Sequence, residues 1–309
     1  MEAPVTIRPM LAASFDDQYD LMPELKQLEY PLLGSPKVDG IRFLRPENDG
    51  ARSRSWKLLP NKRLQAMVEN PLFAWLDGEV IVGNNPAAEN LFNRTQSAIM
   101  TADDTSPLSI YIFDHWHQAT DHFALRTLKA SSIVADIRMT GVNNVHYLMH
   151  VVLESPEEVL DYEQEALEAG YEGIMLRHPN KPYKYGRSTK REQGLIKVKR
   201  FVDEEAEIVG FEELRRNQNE AKKNAFGLQV RGHSIHGKVA ANTLGKLLLR
   251  NDRWGEFACG SGLDDVLRNK IWQNQKDFLG KLVTYKYQPH GIKEKPRSPI
   301  FKGFRPEVD

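Results

Sequence analysis

The sequence predicts a two-domain α+β protein, with a mixed domain over residues 1–200 and a small β-barrel over residues 201–309. Three observations predict it. A chain of 309 residues suits two domains or one large one, and can bury a sizeable core. Strand-like and helix-like segments interleave through the first two-thirds. Beyond the run Lys197-Val198-Lys199-Arg200 the pattern changes to short alternating strands at the spacing of a small barrel.

In chain order, FAWLDGEVIV (73–82), LSIYIFDHW (108–116) and VHYLMHVVL (145–153) read as strands. Ser155-Pro156-Glu157-Glu158 opens a helix, with Ser155 as N-cap, Pro156 in the first turn and Glu158 completing a capping box. That helix runs to about Ala169 and stops at Gly170, and GIMLR (173–177) follows as a short strand. In the last third, EAEIVGFEEL (205–214), LGKLLLR (244–250) and KLVTYKY (281–287) alternate as strands. RRNQNEAKKNAFG (215–227) reads as an exposed loop, and LDDVLRNKIWQNQKDFL (263–279) as one amphipathic helix.

Composition excludes several classes. A single cysteine, Cys259, rules out an internal disulfide framework and Cys-rich zinc modules, and its EFACG context reads as buried packing. The nine histidines show no zinc spacing, His115-x-His117 included. No signal peptide and no apolar run of membrane-spanning length is visible, so a reducing cytoplasmic setting is expected. Gly232-x4-Gly237-Lys238 imitates a phosphate loop, but Val239 stands where a hydroxyl must reach magnesium.

The sharpest motif is Lys37-Val38-Asp39-Gly40-Ile41-Arg42. A lysine between Pro36 and Asp-Gly sits where a strand meets a tight turn. Nearby cations, Arg42 and Arg54, are expected to lower its pKa and expose a neutral amine as nucleophile. Further signals follow in order: Asp77-Gly78-Glu79, Phe113-Asp114, Glu172-Gly173-Ile174-Met175-Leu176-Arg177, and the alternating pair Lys197 and Lys199. Arg8-Pro9-Met10-Leu11-Ala12 precedes them. This ordered set resembles the covalent nucleotidyltransferase superfamily of ATP-dependent DNA ligases, RNA ligases and mRNA capping enzymes. The C-terminal phrases DEEAEIVGFEE, EFACGSGLDD and PRSPIFKGFR resemble short bacteriophage-type ATP-dependent DNA ligases.

The resemblance implies a nucleotidyltransferase (ATP-grasp-like DNA ligase) domain over 1–200 and an OB-fold barrel over 201–309. It implies that Lys37, within Lys37-x-Asp39-Gly40, attacks the ATP α-phosphate, and that Lys197 and Lys199 clamp that phosphate from one strand face. Arg42 is then the ribose contact, Phe113 the adenine platform and Glu79 a ribose or metal ligand. Glu172 is the carboxylate for a divalent metal, magnesium or manganese. Arg297 and Arg305 are the candidates for orienting pyrophosphate. Arg54 is the candidate for the nick 5′-phosphate with Arg52 as its rival, while Arg231 and Lys238 offer backbone contacts to DNA. The implied partners are ATP and nicked duplex DNA, gripped by a monomer in the cytoplasm (a host cell's, if phage-encoded). An RNA ligase or capping guanylyltransferase uses the same lysine chemistry, and a catalytically dead nucleic-acid-binding homologue is the alternative of another class.

Charge patterning bears on the partner. Lys+Arg and Asp+Glu both total 42, and a neutral chain argues against a polyanion partner. By region the balance differs: residues 37–63 hold eight bases against three acids, 181–200 eight against one, and 281–305 seven against one. Residues 154–172 hold eight acids and no Lys or Arg, and end at Glu172. Cations in islands around a neutral chain imply weak non-specific DNA binding with affinity focused on one groove.

Overall fold

The computed structural model describes residues 8–15, 20–88, 90–217, 221–223, 229–231, 238–288 and 294–305. The chain divides into two compact units, Met1–Arg200 and Phe201–Asp309.

The first unit carries a small parallel pair, Met10–Leu11 with Gly186–Arg187, and two larger sheets. One has five strands in the spatial order Ala13–Ser14, Ile196–Val198, Ile174–Arg177, Leu32–Pro36 and Val151–Leu153. The other has four, in the order Ile41–Leu44, Leu76–Val82, Leu108–His115 and Val145–Tyr147. Each buries one apolar face under helices. Phe43, Val80, Ile110 and Ile112 of the four-stranded sheet pack with Ala98 and Ile99 of the Leu91–Met100 helix and with Ala130, Val134 and Ile137 of the Phe123–Met139 helix. Leu32, Ile174, Leu176 and Ile196 of the other sheet pack with Val159 and Ala166 of the Pro156–Glu168 helix. Lys37–Gly40 is the bridge between the sheets, joining Leu32–Pro36 to Ile41–Leu44. Gly40 is required there, since a Cβ would stand 2.4 Å from the Val80 carbonyl oxygen.

The segment 145–153 departs from the single strand its sequence predicts. It forms Val145–Tyr147 and Val151–Leu153, interrupted at 148–150. The cause is a change of sheet. The first half runs parallel to Leu108–His115, Leu148 N–H then donates to the Ile112 carbonyl (2.7 Å), and the second half pairs with Leu32–Gly34. Likewise the strand expected at 73–82 begins only at Leu76. Pro71–Phe73 is a 3₁₀ turn and Trp75 adopts φ +64°. At the 156 helix, the Ser155 side chain caps the Glu158 N–H, but Glu158 reaches back to the Glu154 N–H rather than closing the box on Ser155.

The second unit is a five-stranded antiparallel sheet in the order Gly255–Cys259, Lys238–Asn251, Val202–Asn217, Leu282–Gln288 and Arg297–Phe304. Its outer strands meet. Ser261 bridges Ile300, Phe301 N–H donates to the Ser261 carbonyl (2.9 Å), and Gly262 sits so close to the Phe301 carbonyl that no side chain fits. The sheet thereby closes into a barrel around Ile208, Leu247, Leu249, Cys259, Val283 and Tyr285. The helix expected over 263–279 is broken at Asn274 (φ −124°, ψ 40°) into Asp265–Gln273 and Gln275–Phe278. The expected loop at 215–227 is partly strand. Arg215–Asn217 continue the long strand, and Ala221–Lys223 pairs with Gln229–Arg231.

Candidate active site

Lys37 stands at the crossing between the two sheets. Its backbone is locked to the segment before Ile174–Arg177, where Lys37 N–H donates to the Gly173 carbonyl (2.8 Å) and Glu172 N–H to the Lys37 carbonyl (3.3 Å). Gly173 takes φ +144°, and a Cβ there would lie 2.2 Å from the Val198 carbonyl. Glycine is therefore demanded by the close approach of the strand that carries Lys197. The result brings residues 37, 172 and 199 together. Lys37 Nζ donates to Glu172 Oε2, and Lys199 Nζ lies 3.4 Å from Glu172 Oε1. Glu172 is buried and the lysines are partly exposed, so the two amines remain open to solvent.

This environment corrects the expectation for Lys37. Burial pulls its pKa down, but Glu172, Glu79 and Asp39 outweigh burial, and the pKa lies above the ordinary lysine value. The pKa of Lys197 is lowered, by burial and by the charges of Lys199, Lys37 and Arg187. Arg42 is itself paired. Its Nε and one terminal nitrogen both reach the Asp77 carboxylate at 2.5 Å. Arg54 is exposed on the 53–57 turn.

Arg42 and Glu79 face each other across the Ile41–Leu44 and Leu76–Val82 strands. Burial holds the Glu79 carboxyl up at about 7, against the opposing pull of Lys37 and Arg42. The Arg42 guanidinium sits 5.1 Å from the Phe113 ring centroid, and that of Arg177 at 5.2 Å. Phe113 is half-buried among Val38, Ile81, Leu91 and Leu148, which presents a flat ring beside the lysine loop.

Beneath this ring lies an ionic cluster that sequence reasoning missed. Asp114 is fully buried and accepts from Arg126 (2.8 and 3.2 Å), from Arg177 and from the His115 N–H (2.9 Å). Asp77 accepts from Arg42 and from the Tyr183 hydroxyl (3.0 Å). Asp77, Asp114 and Arg177 belong to motifs that flagged the region. Arg126 carried one usable signal, a cation on the apolar face of the Phe123–Met139 helix.

Comparison with known proteins meets this geometry at the family level. Residues 9–199 match the family described as ATP dependent DNA ligase domain, and residues 236–305 match the DNA ligase OB-like domain. The chain belongs to the ATP-dependent DNA ligase family. The DNA ligase of Haloferax volcanii is 33% identical over 192 residues, covering 58% of this chain and 31% of the relative. The DNA ligase of African swine fever virus (isolate Tick/Malawi/Lil 20-1/1983) is 23% identical over 148 residues, 47% of this chain and 33% of the relative. The chain thus spans about a third of the length of the curated relatives it matches. The Chlorella virus DNA ligase-adenylate structure is 29% identical, with a TM-score of 0.54 over 98% of this chain and 99% of that one. A Lig E DNA ligase structure at 22% identity shares the fold, with a TM-score of 0.64 over 96% and 99% of the two chains.

Within the ligase domain the rival arginines occupy different places. Arg52 is held inside the structure. It pairs with Asp49, donates to the Trp56 carbonyl (2.8 Å), and its backbone bridges Leu44 and Leu58. Arg54 sits at the tip of the turn closed by Ser53 N–H to the Lys57 carbonyl (2.7 Å). The basic island at 181–200 is largely paired: Lys181 with Glu29, Lys184 with Glu192, Lys190 with Glu24, and Arg200 with Glu163.

In the OB-like domain Arg305 pairs with Glu205 at 2.5 Å, and Arg297 opens the last strand opposite Gln288. Arg231 and Lys238 lie on strands opposite Ala221 and Asn217, but their side chains lie outside the described residues, as do Gly232–Gly237. Among the described residues no cluster of three or more His, Cys, Asp or Glu could hold a metal ion. Two carboxylates, Glu79 and Glu172, act together on Lys37. That donor set fits a magnesium-type ion, which takes one or two carboxylates and fills its shell with phosphate and water. Among the described residues no helix is long and apolar enough to cross a membrane.

Proposed function

We propose that this chain seals 5′-phosphate/3′-hydroxyl nicks in duplex DNA with ATP, as a monomer, through a lysyl-AMP on Lys37. The observation that carries the reading is the Lys37–Glu172–Lys199 contact at the crossing of the two sheets, beside Lys197 and Phe113. A nucleophile, phosphate-binding cations and a flat ring for a base stand near one another, which is what phosphoryl transfer by positioning and charge requires.

In the first step Lys37 Nζ attacks the α-phosphorus of ATP. The P–N bond forms, the α–β P–O bond breaks, and pyrophosphate departs. The raised pKa means that Lys37 rests as an ammonium, so a proton must leave Nζ, and Glu172 Oε2 is its hydrogen-bonded acceptor. Lys197 and Lys199 face the charge that builds on the α-phosphate, Phe113 takes the adenine, and Arg42 takes the ribose. Glu79 and Glu172 would hold a divalent cation, which supplies charge neutralisation at the phosphates when bound. AMP then passes to the nick 5′-phosphate, read by Arg54, and attack by the 3′-hydroxyl releases AMP and seals the strand. Arg297 or Arg305 orients the pyrophosphate.

The test is labelling with α-labelled ATP or GTP, followed by sealing of nicked DNA and nicked RNA. Label from ATP, lost in Lys37→Ala, with sealing of the DNA nick is expected. Label from GTP alone, sealing of RNA alone, or label on Lys37→Ala overturns the proposal.

A further inference from the structure

Four groups from distant parts of the first unit close a hydrogen-bonded ring beside the site. Met10 N–H donates to the Tyr183 hydroxyl oxygen (3.0 Å). The Tyr183 hydroxyl donates to Asp77 Oδ2 (3.0 Å). Asp77 receives Arg42 through both carboxylate oxygens, and Arg42 returns to the Met10 carbonyl at 3.3 Å. Met10, Asp77 and Tyr183 are buried. Met10 and Asp77 are shut away from water, so losing the Tyr183 hydroxyl takes the partner of the Met10 N–H and one of the donors to Asp77. The ring also spans the architecture. It ties the short parallel pair Met10–Leu11 and Gly186–Arg187 to the two strands that carry Arg42 and Glu79.

We infer that Tyr183 is a positioning residue for the nucleotide site, setting the direction in which Arg42 approaches its ligand by fixing Asp77 to the N-terminal strand. Asp77 alone can be bound by a guanidinium from several directions. With one oxygen also receiving the Tyr183 hydroxyl, and with the Met10 carbonyl taking a third contact from Arg42, one direction remains. That direction places the guanidinium 5.1 Å from the centre of the Phe113 ring. The Tyr183 ring is itself held, stacked on Trp116 at 6.2 Å and edge-on to Tyr185 at 5.9 Å. Removing only its hydroxyl therefore slackens Arg42 while the surrounding packing stays.

The inference rests on the adenylylation reading above, and its test separates the two. The full chain is assayed for self-labelling over a range of ATP concentrations as wild type, Tyr183→Phe, Arg42→Lys and the double variant, with thermal unfolding measured alongside. Loss of a hydrogen bond to a charged group predicts about a tenfold rise in the half-saturating ATP concentration for Tyr183→Phe, with the maximal rate within about threefold. If Tyr183 acts through Arg42, the same change made in Arg42→Lys shifts half-saturation by less than about twofold. An equal shift in both backgrounds, or an unchanged ATP dependence in folded Tyr183→Phe, overturns the inference. Should Tyr183→Phe not fold, Asp77→Asn carries the same comparison. A wild-type chain that takes no label overturns the adenylylation reading instead.

Discussion

Replacing Asp114 with asparagine tests the buried ionic cluster under the site. Asp114 is fully buried and is the shared acceptor for Arg126 and Arg177. Burial pushes its pKa up, but the two arginines and their hydrogen bonds outweigh burial and hold it below the ordinary carboxylate range. Asparagine keeps the size, removes the charge, and turns one acceptor oxygen into an NH₂ facing guanidinium donors. Buried Asp77, Asp114, Arg126 and Arg177 with partly buried Arg42 hold three cations against two anions, and the variant leaves three against one. Breaking a buried pair this way costs about 3–5 kcal/mol. For a unit of some 200 residues that corresponds to a fall of roughly 6–20 °C in its unfolding temperature. Calorimetry at neutral pH measures it. Arg126→Met should cost less, because Asp114 keeps Arg177. The pH dependence has a fixed sign. A carboxylate with a depressed pKa stabilises above its unfolded pKa, near 4, and loses that contribution as pH falls through its folded pKa. Wild type should therefore lose stability in acid that Asp114→Asn has already lost. A loss under about 1 kcal/mol, or a greater loss for Arg126→Met, would refute the assignment of Asp114 as the centre of the cluster.

Other consequences are equally open to measurement. Arg54→Ala should unfold at the wild-type temperature, yet reduce the salt slope of nicked-DNA binding by about one counterion, whereas Arg52→Ala should lower the unfolding temperature; equal behaviour of the two would reverse their roles. Glu79 binds a proton more tightly folded than unfolded, so its contribution to stability falls as pH rises from about 4.5 to 7, and Glu79→Gln should flatten the stability profile across that window. Gly173→Ala forces a Cβ against the Val198 carbonyl at a φ that L-residues avoid, and should cost at least about 1–3 kcal/mol and reduce self-labelling by separating Glu172 from Lys199. A Gly173→Ala chain with normal stability would mean that the two strands separate freely.

The order of motifs along the chain marked most of the candidate site. Lys37, Glu79, Phe113, Glu172, Lys197 and Lys199 were each marked by local sequence, and the structure brings Lys37, Glu172 and Lys199 into direct contact across as many as 135 positions of sequence separation. The barrel was legible from short alternating strands, because period-two patterning survives wherever one face is buried. The break at 148–150 was not. An apolar run has the same appearance whether it stays in one sheet or crosses to the next. The strand pair Ala221–Lys223 and Gln229–Arg231 was hidden because it is polar, and polarity is what marks a loop.

By itself the sequence determined which chemical groups are available and on which elements they ride: an amine before Asp-Gly, two lysines two apart, a carboxylate after an acidic helix. Those properties are local, set by residue type and by spacing within a few positions. Only the tertiary structure decided the charge state and the aim of those groups. Lys37 reads in sequence as a lysine near Arg42 and Arg54, but the fold surrounds it with Glu172, Glu79 and Asp39, while Asp77 occupies Arg42 and Arg54 is exposed on its turn. A pKa depends on burial and on charges within a few ångströms, and neither follows from separation along the chain.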